Sequence, residues 1–201
     1  MHYTIQHYPT QLIDVIHLAD GTRVVIRPVL PQDAAPTQAL VGSLSDQSRY
    51  QRFLAPIREL PAAWLERFTQ VDYRLHMALM AETVVDGEVT IIAEVRYVSA
   101  ENTHAPGTPE LALLVADAWQ RRGLGQHMLT ALIDHARRLS LPALKAEVLS
   151  TNTAMLKVFR RAGFKVQAHP DDRRLVLATL SLQTPSLDSM VREDHAYDLM
   201  P

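Results

Sequence analysis

The chain has 201 residues, 20 lysines and arginines against 22 acidic residues, a formal net charge of −2 at pH 7, and no cysteine. That length suits one domain with a core of its own. The missing cysteines exclude disulfides, thiolate nucleophiles and Cys-bearing zinc sites, and the near-balanced charge excludes a global basic field for nucleic acid.

Residues 1–20 are read as an N-terminal extension, 21–183 as one domain and 184–201 as a tail without clear periodicity. The N-terminus lacks the apolar core of a signal peptide, and no apolar run approaches the roughly 18–20 residues of a membrane span. A cytoplasmic setting with no membrane partner is expected. "TRVVIRPVL" (22–30) is rich in β-branched residues and reads as a strand. Asp33 is a candidate cap for a helix that carries Pro36 early. "SDQSRYQRFLAP" (45–56) and "LPAAWLERFTQV" (60–71) read as two further helical pieces, the latter with Trp64, Leu65 and Phe68 on one face.

The period then changes. "RLHMALMAETVV" and "EVTIIAEVRYV" are strand-like and flank Asp86-Gly87, a hairpin signal because both turn positions need positive φ. "SAENTHAPGTP" (99–109) is a loop by composition. "ELALLVAD" (110–117) is an apolar run of the kind a buried strand shows. From Gly125 to Ser140 apolar residues fall at helical spacing. "ALKAEVLS" (143–150) reads as a strand, "TNTAMLKVFRRAG" (151–163) as a helix, and "FKVQA" and "RRLVLATLSL" as two last strands. The chain is therefore α/β in the α+β sense, on one largely antiparallel sheet.

"WQRRGLGQHM" (119–128) stands between the apolar strand and the helix. The first N–H groups of a helix lack partners within it, and the helix dipole adds positive charge at the same point. Glycines let a phosphate approach the backbone, and Arg121 and Arg122 add charged donors. A pyrophosphate would satisfy all of these together. The Walker lysine and hydroxyl are absent, and the dinucleotide fingerprint needs another glycine spacing, which argues against a nucleotide-binding module.

The pattern Q-x-x-G-x-G at Gln120–Gly125, preceded by "LLVADAW" and followed by "TNTAMLKVFRRAGF" (151–164), resembles the GNAT superfamily of acyl-CoA-dependent N-acyltransferases. "RYQRFLAPIREL", "RFTQVDYRLHMALMA" and "AWQRRGLG" look most like the GNAT module of bacterial Pat-type protein lysine acetyltransferases. The resemblance covers roughly residues 20–180. It implies a mixed, mostly antiparallel sheet with one splayed parallel strand pair, flanked by helices. It also implies acetyl-CoA as co-substrate, with no metal.

By this resemblance, backbone groups of Leu113, Leu114 and Val115 would pair with the pantetheine arm. Those of Arg121, Arg122, Gly123, Leu124, Gly125 and Gln126, with Gln120 beside them, would hold the pyrophosphate. Asn152 would contact the cofactor. Glu110 would be the general base for a primary amine, its carboxyl tuned by burial. The acceptor implied is a protein lysine, then a small-molecule amine; a non-catalytic acyl-CoA sensor is the reading from another class. The oligomeric state is left open, a dimer included.

Two departures from the family stand out. Phe159 occupies the place of a tyrosine acid, and His76 stands where the Pat-like stretch usually has an acidic residue. Glu94 is a rival base, although strand alternation puts it beside Arg96 as an ion pair. Asp72 and Tyr73 are either acceptor-side residues or turn and packing. His127 and His135 lie too far apart on a helix for joint chelation.

Overall fold

The computed structural model describes residues 7–99 and 108–183. Its strands are β1 (Asp14–His17), β2 (Arg23–Pro28), β3 (His76–Val85), β4 (Glu88–Val98), β5 (Glu110–Val115), β6 (Ala143–Leu149), β7 (Lys165–Ala168) and β8 (Leu175–Ser181). Its α-helices are α1 (Ala34–Gly42), α2 (Asp46–Phe53), α3 (Ala62–Thr69), α4 (Leu124–Arg138) and α5 (Thr153–Arg161). The strands join one sheet in the order β1-β2-β3-β4-β5-β6-β8-β7. Among the described residues only β5 and β6 pair in parallel; the other neighbours are antiparallel. Most of the loop expected at 99–109 and all of the tail at 184–201 lie outside the described residues.

The elements follow from local chemistry. Asp86 and Gly87 have φ of 51° and 86° and close the β3–β4 hairpin, with Val85 opposite Glu88. β4 carries one extra residue, Ile92, where Ala81 pairs with Ala93 but Glu82 pairs with Ile91. The Ser45 side chain caps α2 by accepting from Ser48 N–H, and Leu54 ends that helix in the left-handed region. Asn152 caps α5 by accepting from Met155 N–H at 3.1 Å.

The structure corrects the sequence reading at two places. The sheet begins before residue 21, because Asp14–His17 pair with Arg23–Ile26 as its edge strand. Asp33 stands at the N-cap of α1 but makes no capping bond. Its two oxygens are taken by Arg27 Nη1 and Nη2, at 2.8 and 2.9 Å. Its Oδ2 also accepts from Leu30 N–H at 2.7 Å, so both oxygens are engaged by residues that precede α1.

The sheet has a helical layer on each face. α4 lies on one face: a Cβ added at Gly125 would meet Leu113 Cδ2 and Val115 Cγ2 at 3.4 Å. α2, α3 and α5 supply Arg52, Phe68 and Phe159 to a cavity over the other. Met128, Leu129, Leu132 and Ala136 of α4 are fully buried against the sheet. No helix among the described residues is long and apolar enough to cross a membrane.

Candidate active site

β5 and β6 share one registered pair, Glu110 opposite Lys145. Lys145 N–H donates to the Pro109 carbonyl at 2.9 Å, and past this rung the strands part. On its other edge β5 is paired with β4 from Glu110 to Val115. Peptide groups alternate between the two edges of a strand. The Pro109 bond on one side, and the bond from Ala116 N–H to the Ile92 carbonyl on the other, fix the parity. Leu113 and Val115 therefore turn their peptide groups into the gap, and Leu114 turns its own to β4. A cavity of about 480 Å³ occupies this opening.

The loop after β5 combines left-handed backbone with the start of a helix. Arg121 and Gly123 have φ of 61° and 85°, and left-handed residues in such a turn gather successive N–H groups on one concave side. The first i→i−4 bond of α4 runs from His127 N–H to the Gly123 carbonyl at 3.1 Å. The N–H groups of Leu124, Gly125 and Gln126 therefore have no acceptor within the helix. The Gln126 side-chain oxygen is buried without a hydrogen-bond partner. Free N–H groups in a concave turn together suit a pyrophosphate. Arg122 is paired with Asp20 at 2.6 Å and stacks on Trp119 at 4.8 Å, whereas Arg121 is exposed. Gly123→Ala is expected to cost about 1–2 kcal/mol, because a Cβ disfavours the left-handed region; urea unfolding measures it.

Gln120 and Asp117 fasten this loop to the rest of the site. Gln120 Nε2 donates to the Val115 carbonyl at 3.0 Å and to Ser48 Oγ at 3.3 Å. Asp117 accepts from Ser45 N–H, Ser45 Oγ and Ser48 Oγ at 2.9, 2.9 and 2.7 Å. The start of α2 is thus pinned to the loop.

The same helix ends at the cavity floor. Glu94 and Arg96 are 3% and 2% exposed and bond through Arg96 Nε at 2.6 Å. The ion-pair alternative for Glu94 is the one realised. Burial alone would push its carboxyl up, but Arg96 and Arg52 outweigh that and hold it below the usual range. Arg96 also donates to the Phe68 carbonyl at 3.2 Å and stacks on the Phe68 ring at 4.0 Å. Arg52 Nη2 stands 3.7 Å from the same Glu94 oxygen. His76 Nε2 lies 3.0 Å from Arg96 Nη1. Burial and the Arg96 charge pull its imidazole down to about 4, so His76 is neutral at pH 7 and accepts from Arg96.

Glu110 lines the cavity at its mouth but is exposed. The burial expected of a tuned base is absent there, because Glu110 opens β5 at the strand's free end. Asn152 lines the cavity wall with its oxygen committed to α5. Phe159 is buried and stacked on Phe164 at 4.8 Å. Asp72 and Tyr73 resolve to structure. Asp72 Oδ1 accepts from the N–H groups of Arg74, Leu75 and His76, and the buried Tyr73 donates to the Val29 carbonyl at 2.8 Å. His127 pairs with Asp14 at 3.0 Å, and His135 Nε2 lies 3.3 Å from the Tyr73 carbonyl. No group of three metal-ligating side chains is found among the described residues.

Arg52, Asp117 and Asp20 escaped the sequence reading. Asp117 meets Ser45 across 72 positions, and no local spacing signals such a contact.

Residues 23–165 match the acetyltransferase (GNAT) domain model. The chain is 33% identical over 165 residues to acetyltransferase PA5475 of Pseudomonas aeruginosa, covering 82% of this chain and 87% of that protein. It is 32% identical over 148 residues to acetyltransferase Pat of Mycolicibacterium smegmatis, covering 74% of this chain but 43% of that longer protein. The crystal structure of the GNAT domain of S. lividans PAT superimposes with a TM-score of 0.77 at 32% identity, over 87% of this chain and 99% of that one.

Proposed function

The chain belongs to the GNAT family of acyl-CoA-dependent acetyltransferases, and from that premise we propose that it moves an acetyl or other short acyl group from acetyl-CoA to a primary amine, a protein lysine in the first instance. The observation that carries this is the gap beyond the single Glu110–Lys145 rung. It exposes an unpaired strand edge that ends in an anion-binding turn. An extended pantetheine arm can pair with that edge as an added strand would. Leu113 then presents both of its peptide groups and Val115 its N–H, the Val115 carbonyl being held by Gln120, and the N–H groups from Arg121 to Gln126 hold the pyrophosphate.

Acetyl-CoA, when bound, supplies the acyl group as a thioester whose thiolate leaves without a dedicated acid. Phe159, buried against Phe164, has no proton to give. A lysine ammonium, with an ordinary value near 10.4, must lose its proton before it can attack. Glu110 at the cavity mouth takes that proton, directly or through water. The Leu113 N–H, turned into the gap, donates to the acyl carbonyl oxygen as charge develops there.

The experiment is release of CoA thiol from acetyl-CoA across a panel of lysine-bearing proteins and small amines. The chain has no cysteine of its own to add to the signal. Amine-dependent release supports transfer, and the panel separates protein lysines from small amines. Tight acetyl-CoA binding without release for any amine would make the chain a sensor.

A further inference from the structure

The cavity has a charge balance that bears on its acceptor. Four cations line it: Arg52, Arg67, Arg96 and Lys145. Two carboxylates line it, Glu110 and Glu147, with Glu94 directly behind Arg96. Arg96 is spent on Glu94, Phe68 and His76. Arg52 is not. Its side chain is 12% exposed, and its one ion pair among the described residues is to the Glu94 oxygen at 3.7 Å, already bonded by Arg96 at 2.6 Å, with the charges of Arg96 and Glu110 also felt there. The Arg52 guanidinium also lies over the Phe53 and Phe68 rings at 4.8 and 5.9 Å, and among the described residues its five N–H donors meet only that one shared carboxylate oxygen, at long range.

A second, independent atom points the same way. Ser99, 4% exposed, lines the cavity, and its hydroxyl is buried without a partner. The floor therefore holds spare donors and an excess of positive charge. Burial already disfavours the Arg52 cation, lowering its value to about 10. A plain alkylammonium entering this space would add to that excess. An acceptor that brings its own anion would relieve it and fill the free donors.

We propose that the acceptor is an amine that also carries a carboxylate, seated on Arg52, while its amino group reaches Glu110. This rests on the acetyltransferase reading and deepens it. Such a carboxylate has two sources: an acidic side chain beside the accepting lysine of a protein, or the carboxyl of a free amino acid. Arg52 is a specificity residue in this account. It selects the acceptor and does not touch the reacting atoms.

The test compares matched acceptors on the full chain. One arm uses blocked peptides, Gly-Lys-Gly against Glu-Lys-Gly and Gly-Lys-Glu. The other uses 6-aminohexanoate against hexylamine. The carboxylate-bearing member is expected to have a kcat/KM at least about tenfold higher, as suits a charge-assisted contact of about 1.5–3 kcal/mol. Arg52→Gln should bring that ratio close to one, with the acetyl-CoA KM unmoved, and Arg52→Lys should keep most of it. Calorimetric titration of the free protein with 6-acetamidohexanoate gives a readout apart from turnover; it should bind wild type and lose affinity in Arg52→Gln. Preference in the peptide arm assigns the anion to a protein substrate, and preference confined to the small acids assigns it to a free amino acid. Equal rates for both members of each pair, or a preference that survives Arg52→Gln, would overturn the proposal while leaving acetyl transfer standing. No transfer to any amine would overturn both.

Discussion

Glu110→Gln is expected to lower amine-dependent turnover by about 10²–10⁴-fold, the usual loss when a positioned general base is removed, while leaving acetyl-CoA affinity where it was. The two effects separate because Glu110 lies at the acceptor end of the gap. The turn proposed to hold the pyrophosphate lies past the far end of β5, at Arg121–Gln126. The substitution keeps the shape and removes only the proton acceptor. Glu110 is exposed and has no ion pair among the described residues, so its loss should leave thermal stability almost unmoved. In both proteins the rate should climb with pH as more of the acceptor is neutral amine. A kcat unchanged by the substitution would assign the proton to water, since the rival Glu94 is sealed under Arg96 and Arg52.

The largest stability effect is expected from Arg96→Met. It would leave Glu94 buried with one distant cation, and breaking a buried pair from one side costs about 3–5 kcal/mol. The pH dependence carries the sign. In the intact protein the Glu94 carboxyl is held below its unfolded value. Its contribution is therefore complete above the unfolded carboxyl value, about 4.3, and is lost as pH falls through the lower folded value. In the variant, burial dominates and the carboxyl rises. The protonated form is then favoured, so the penalty is full at neutral pH and shrinks as pH falls toward the unfolded value. Urea unfolding at pH 7 and near pH 4.5 should show the gap between the two proteins narrowing. A gap that widened on acidification would refute this account of Glu94.

What the sequence made legible is what a short window can encode. Asp86-Gly87 announces its turn because both positions need positive φ, and both have it. The glycines after β5 announce a tight strand-to-helix turn, and Gly123 takes the left-handed backbone there. Asn152 sits one residue before its helix, where a cap belongs. The cavity floor was not legible. Alternation places Glu94 beside Arg96, but nothing in periodicity brings in Arg52 from α2 or His76 from β3. Burial of Glu110 was expected from its family role, and position decided otherwise, since the first residue of a strand, at the mouth of a cavity, stays wet. β1 escaped because its four residues, Asp14–His17, begin and end on polar side chains, and its pairing partner lies across a turn that reads as loop.

α2 has eight residues, about 12 Å of helix at the standard rise, and its two ends do different work. Ser45 and Ser48 at its start are locked to Asp117 of the turn after β5, and Arg52 and Phe53 at its end line the cavity. So short a helix moves as one lever, and its ends cannot be adjusted independently. With the two ligands placed as proposed, cofactor and acceptor are expected to be thermodynamically linked, which acetyl-CoA titrations with and without acceptor would measure. Whatever factor the first ligand adds to the affinity for the second, the second returns to the first.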